Sequence, residues 1–217
     1  GMDHIQCNPG CPPGRKQRIV LHMHVEHLVM VDRKAQRFVA EDQRRDVIRE
    51  AILSLPDQTA FSIIDADGFA ALNPGHVEGL KKGLETGDAW TADTIEELAK
   101  KIKVDPAALK KTIDEYNAGV DAKKDKMGKA PRNLTKIDKA PFWAGYSGMS
   151  VHHTMGGVRI NLDNQVLDRY DQVIPGLFAV GEVTGGIHGS NRLGGNAICD
   201  IFTFGRLTGI YLAKHLR

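Results

Sequence analysis

Apolar positions first gather between Ile19 and Val31, where Leu28-Val29-Met30-Val31 is the densest stretch and predicts a strand. Asp32 to Gln36 reads as a polar turn and Arg37-Phe38-Val39-Ala40 as a returning strand, giving a hairpin. From Arg45 to Leu55 the positions Val47, Ile48, Ala51, Ile52 and Leu55 recur at helical spacing, and Pro56 ends the run. Ala60 to Ile64 predicts a short buried strand, and His76 to Leu84 a short helix. Two better-signed helices follow. Asp93, with Glu96 three residues on, predicts a capped start for a helix reaching about Ile102. Asp105 before Pro106 predicts a second, reaching about Asn117. Lys123 to Lys139 is polar and Lys-rich and reads as a linker.

After Phe142 the texture changes. Val158 to Asn161 and Gln165 to Leu167 predict a hairpin, Gly176 to Glu182 a buried strand, Gly185 to Gly195 a glycine-rich loop, and Asn196 to Leu216 a long, mostly apolar, buried helix. Strand, glycine loop and helix in that order form half of a phosphate- or dinucleotide-facing site, because the loop lets backbone approach a ligand and the helix start presents N–H groups. A tightly packed corner with no ligand would use Gly194-Gly195 in the same way, and both readings stay open.

Composition narrows the class. The 217 residues are 41% hydrophobic and 26% charged, enough for a sizeable core without disulfide or metal staples. No apolar run is long enough to span a membrane. With 29 basic against 27 acidic residues, nucleic acid is not the expected partner. Cys7, Cys11 and Cys199 are an odd set with no second pair to complete a zinc site, which points to a reducing compartment and a cytoplasmic protein. Gly1 before Met2 reads as a remnant of tag removal, and the residues behind it as the middle of a domain. Of 23 glycines, 13 lie between Gly145 and Gly209, a density that predicts backbone passing close to something.

Three stretches carry a family resemblance: Val151-His152-His153-Thr154-Met155-Gly156-Gly157, then Pro175 to Gly186, then Gly189-Ser190-Asn191-Arg192-Leu193-Gly194-Gly195-Asn196-Ala197. Together with Arg37 to Glu41 and Arg45-Asp46 they resemble the C-terminal part of the fumarate reductase/succinate dehydrogenase flavoprotein family, closest to its soluble flavocytochrome-type fumarate reductases. The resemblance implies an α+β chain: a capping, substrate-binding domain over residues 1–150, then a strand-loop-helix remnant of a Rossmann-like FAD-binding domain over 151–217. It implies an FAD-dependent parent enzyme that moves hydride between flavin and a C=C bond next to a carboxylate. His152 and Arg192 would grip the small carboxylate substrate, Arg192 through its planar fork, with Gly195 beside them. Arg45 would handle the proton, in a dry site with a relay behind it. Glu182 would bind the adenosine ribose, His153 would sit beside the flavin, and Ala197 and Ile198 would face the isoalloxazine. Taken singly, each residue has a plainer alternative: Arg45 as a helix-start arginine paired with Asp46, His152 and His153 as strand histidines, Arg192 as a surface residue.

Two departures from the family pattern matter. Asn8 stands where the family has another substrate-binding histidine, and Leu21 and His24 stand where it has the relay glutamate and arginine. This favours a different substrate, for which a larger ketosteroid-like or heteroaromatic acid is the alternative. His22 and His24 at alternate strand positions would offer a metal-binding face, against the plainer reading of a histidine-rich strand. The family's glycine fingerprint for the pyrophosphate is also absent, so the chain alone is expected not to hold FAD tightly and to need a missing N-terminal FAD-binding half. A silent module completed by that partner is the alternative from another class. The electron donor is not legible.

Overall fold

The computed structural model describes residues 5–12, 14 and 18–215. Eight strands run β1 Ile5–Cys11, β2 Val29–Val31, β3 Phe61–Ile64, β4 Ala89–Ala92, β5 Phe142–Tyr146, β6 Gly148–Thr154, β7 Gln165–Leu167 and β8 Val173–Phe178. Six helices are α1 Arg45–Leu53, α2 Ala66–Ala70, α3 Pro74–Thr86, α4 Ile95–Ile102, α5 Pro106–Asp121 and α6 Asn196–His215. The mixed α and β content divides into two compact units, residues 8–150 and residues 1–7 with 151–217. The boundary falls within the β1 and β6 segments.

The larger unit is built on an antiparallel sheet of order β2-β3-β5-β4. Its strands are mostly apolar, Ser62 and Thr91 excepted, because both faces are covered. Val29, Val31, Phe61, Ile63, Phe142 and Ala144 point to one side, onto Ile95, Leu98 and Ile102 of α4 and Leu109, Ile113 and Tyr116 of α5. Met30 and Ile64 point to the other, onto Ile48 and Ile52 of α1 and Leu80 of α3. Alternation across the pleat thus splits one apolar run between two cores.

Several sequence expectations change here. Ile19 to Val31 forms a strand only at its last three residues. Ile19 and Leu21 are buried, but the chain turns at His22-Met23 and makes a 3-10 turn at Val25–His27. His22 and His24 therefore share no strand face. His24 packs edge-on against His76 at 5.7 Å, and among the described residues no cluster could hold a metal. The returning strand at 37–40 is reduced to one bridge, Val31 to Arg37. Helix α4 is capped by Thr94 rather than Asp93, its Oγ1 accepting the Glu97 N–H at 3.2 Å. Asp105 caps α5 as expected, accepting the Ala108 N–H at 2.6 Å, and that helix runs on to Asp121.

In the smaller unit, β7 pairs with β8, and the expected hairpin partner keeps a single bridge, Ile160 to Val166. Two burial expectations fail. Strand β8 is largely exposed, with Val173, Ile174 and Leu177 open, since among the described residues only β7 flanks it. Along α6 the buried residues are Asp200 and Thr208, while Ile198, Ile201, Phe202, Leu207 and Ile210 are exposed. No helix among the described residues is long and apolar enough to cross a membrane.

Candidate active site

The site in the smaller unit starts from strand geometry. Consecutive residues in β6 face opposite ways, so the His152-His153 pair splits: His152 is exposed and His153 buried. His153 Nδ1 lies 3.6 Å from Glu182 Oε2, on the 3-10 turn Gly181–Val183 that follows β8. Glu182 Oε1 accepts the Thr154 N–H at 2.9 Å. That backbone bond, with His153 and His152 adding to it, holds the Glu182 carboxyl below its ordinary value. Burial pushes His153 below its usual value; Arg192 and His188 act in the same direction, while Glu182 and Asp200 oppose them. At neutral pH the pair is a neutral imidazole beside a carboxylate.

Sequence reasoning missed two members of this group. His188 packs edge-on against His153, ring centroids 5.4 Å apart, and its Nε2 lies 3.1 Å from Asp200 Oδ2. The available signal was a single acid, Asp200, inside the apolar run Ala197 to Phe202 that opens α6. An acid there is costly unless it meets a partner from another segment.

Arg192 is buried, which removes the surface alternative. Its Nη1 donates to Leu193 O at 3.1 Å, and its Nε is buried with no hydrogen-bond partner among the described residues. The loop carrying it is pinned by a third residue that the sequence did not single out. Gln6 Nε2, from β1, donates to Arg192 O at 2.7 Å and Asn191 Oδ1 at 3.2 Å. Gly195 sits at φ +86° with open space where a Cβ would project. Behind it, the Ile198 N–H is taken by Gly195 O at 2.9 Å, whereas Ala197 N–H makes no hydrogen bond to the described residues.

The glycines fall into two sets. A Cβ on Gly157 would lie 2.2 Å from Val183 O, and one on Gly185 would lie 2.7 Å from Gly157 N. These two serve a backbone-on-backbone corner inside the chain. Gly186 and Gly189, at φ +92° and +62°, instead face open space and line a cleft of about 590 Å³ with Gly156, Gly157 and Met155.

Arg45 belongs to the other unit, where it is the first residue of α1 and half-buried. The neighbouring Asp46 carboxylate is taken by Arg44 through Nε at 3.1 Å and Nη2 at 2.6 Å, which holds its pKa down. At the departing positions, Asn8 and Leu21 are buried and His24 meets His76.

The model of the FAD binding domain family matches residues 1–198. The chain belongs to that family. It is 42% identical to a probable fumarate reductase of Shewanella frigidimarina, across 99% of this chain and 36% of that protein. It is 41% identical to an NADH:acrylate oxidoreductase of Vibrio harveyi, across 96% of this chain and 21% of that protein. The open conformation of a flavocytochrome c3 fumarate reductase superposes with a TM-score of 0.78 at 38% identity, over 99% of this chain and 37% of that one. The chain thus spans about a third or less of the length of these relatives. In this FAD-binding family member the residues present fit a flavin dinucleotide in kind. Glu182 offers a half-exposed carboxylate, the glycine cleft admits close approach, and Ala197 offers an N–H at a helix start.

Proposed function

We propose that the chain is the C-terminal part of an FAD-dependent reductase of the fumarate reductase/succinate dehydrogenase flavoprotein family, acting on a C=C bond beside a carboxylate. In this reading residues 1–150 form the capping, substrate-binding domain and 151–217 the closing, Rossmann-like segment of the flavin domain. Further polypeptide completes the flavin site and covers the apolar sides of β8 and α6. The exposed Ile198, Ile201, Phe202, Leu207 and Ile210 support that arrangement, as does the share of the relatives' length that the chain matches.

The observation that carries the reading is Arg192. It is a buried guanidinium with an unspent Nε donor, close enough to His153 to push that ring's pKa down. Such a group suits a carboxylate, which can accept two parallel charge-assisted bonds. His152, exposed on the neighbouring strand position, would bind the same carboxylate, and Gly195 would leave room for it. Glu182, His153, Ala197 and Ile198 would hold the cofactor. FAD held by these residues would supply hydride-transfer chemistry. Arg45 would deliver the proton to the alkene carbon opposite the one that takes the hydride, so that the double bond becomes a single bond with atoms and charge in balance.

The test is turnover of fumarate and acrylate by the flavin-loaded protein, with a reduced viologen dye as artificial donor. Arg45→Ala should lower kcat by about 10³-fold while flavin absorbance is retained, the range expected for loss of a proton donor. Full turnover in Arg45→Ala would refute its role. Dye oxidation that is indifferent to every unsaturated acid offered would refute the reaction class.

A further inference from the structure

The segment that reads as a Lys-rich linker contains a lysine whose side chain is fully buried. Lys129 Nζ donates to Leu28 O at 2.7 Å and to Tyr116 Oη at 3.2 Å, and lies 3.6 Å from Glu41 Oε2. Burial pulls its ammonium below the ordinary lysine value, with Glu41 opposing. Glu41 is itself fully buried and accepts from Met30 N–H at 3.0 Å and from Arg37 Nε and Nη2 at 2.9 and 2.7 Å. Arg37 also holds Asp125, whose Oδ2 accepts the N–H groups of Met127 and Lys129, each at 3.0 Å. The next residue along, Asp42, accepts the Ala130 N–H and the Asn133 amide, both at 2.8 Å through one oxygen. Residues 125–133 therefore grip two consecutive acids of the turn Ala40 to Gln43, which is closed by a Gln43 N–H to Ala40 O bond.

Two arguments say what this grip does. Four buried charges are a poor route to stability, because their desolvation consumes most of their mutual attraction; their attested use is to fix a unique arrangement. What lies downstream needs fixing. Helix α1 starts at Arg45 with no side-chain cap from Arg44, and the Ile48 N–H bonds Arg44 O at 3.1 Å. The first N–H groups of a helix have no intrahelical partner, so a start without a side-chain cap depends on the backbone that leads into it.

We propose that residues 125–133 are a clasp that sets where α1 begins and hence where Arg45 stands, with Lys129 as a positioning residue for Arg45. The functional half of this statement rests on the proton-delivery role of Arg45 proposed above. The clasp also explains why a polar, lysine-rich stretch folds back at all: its backbone donors and one buried ammonium are spent on Glu41, Asp42 and Asp125.

The experiment uses the full chain with ¹⁵N labelling. It compares Lys129→Met, which keeps length and removes charge, and the milder Asn133→Ala, with Leu98→Ala as a core control in α4. Both clasp variants should speed exchange of the Ile48 amide by about tenfold relative to the amides of the central strand β3, and shift the Arg45 Nε–H signal. Leu98→Ala should change Ile48 and β3 together and leave the Arg45 signal in place. If Ile48 exchange merely tracks β3 in both clasp variants and the Arg45 signal does not move, the clasp is refuted and the cluster is only structural. Retained turnover in Arg45→Ala would refute the role of Arg45 separately, leaving the exchange result standing.

Discussion

Replacing Glu182 by Gln should lower the pKa of His153 by roughly 0.7–1.5 pH units, a value that follows from Coulomb's law and the conversion of about 1.36 kcal/mol per unit. The charges lie 3.6 Å apart. At that separation unit charges interact by about 1.2 kcal/mol in water-like surroundings and about 4.6 kcal/mol at an effective dielectric constant of about 20. The His153 side chain is 4% exposed but that of Glu182 is 52% exposed, so solvent screens the pair and the low end of that span applies, about 1–2 kcal/mol. The sign is fixed: a carboxylate stabilises imidazolium, so its removal makes protonation harder. Gln keeps an oxygen for the Thr154 N–H, so the turn should not unfold. The assay is a histidine-ring NMR titration of the chain and of Glu182→Gln, with His153→Asn identifying the resonance. A shift below about 0.3 units, smaller than even the water-screened interaction allows, would refute the His153–Glu182 contact.

Gly157→Ala should lose about 3 kcal/mol or more, because the added methyl meets Val183 O at 2.2 Å and backbone cannot move aside as a side chain would. Gly186→Ala, with open space but φ +92°, should lose only about 1–2 kcal/mol from the left-handed conformation; equal losses in thermal melts would show that the corner is not close-packed. Acid should weaken the fold through His153. Its folded pKa lies below the ordinary histidine value of about 6.5, so the unfolded chain binds more protons between the two values, and stability present above about pH 6.5 is lost as pH falls toward the folded value. His76, lowered mainly by burial, acts in the same direction. Urea midpoints at about pH 7.5 and 5.5 should differ less in His153→Gln than in the unaltered chain, and an unchanged difference would assign the loss elsewhere.

Legibility in the sequence tracked how local the deciding physics was. The Asp105-Pro106 start of α5 and the period of Val47, Ile48, Ala51 and Ile52 in α1 depend on neighbours within one turn, and both elements are present. The choice between Asp93 and Thr94 as cap depends on where the helix backbone begins: Thr94 is extended immediately before the first turn, and its Oγ1 reaches the Glu97 N–H. The run from Ile19 failed as a strand because apolar residues record burial, and Ile19 and Leu21 are buried without a ladder. In the candidate site, Arg192, His153 and Glu182 are singled out by their order in a family pattern. His188, Asp200 and Gln6 were not, since each matters only through a partner 12 to 186 positions away. Lys129 is the plainest case: among the seven lysine and arginine residues between Lys123 and Lys139, nothing in its type distinguishes the one that is buried, and only its fold-back onto Glu41 does.

The helix α6 shows the same limit from the other side. Its apolar residues do not form one stripe: Ile198, Ile201 and Phe202 share a face, while Leu207 and Ile210 lie on others, and a helix apolar all round reads as a core helix. Each such side chain is worth about 1.5–3 kcal/mol when fully buried, and the five are between 40% and 72% exposed, so roughly half of that is unrealised, about 4–8 kcal/mol, on the order of the stability of an ordinary domain. The glycine pattern and the helix pattern then point the same way. Gly157 and Gly185 are accounted for by packing within the chain, whereas Gly186, Gly189, Gly195 and the outer sides of α6 are not. Residues fit for close contact but not using it sit beside an arginine with an unspent donor. It is this coincidence in one unit, rather than any one residue type, that gives the flavin-and-carboxylate reading its weight.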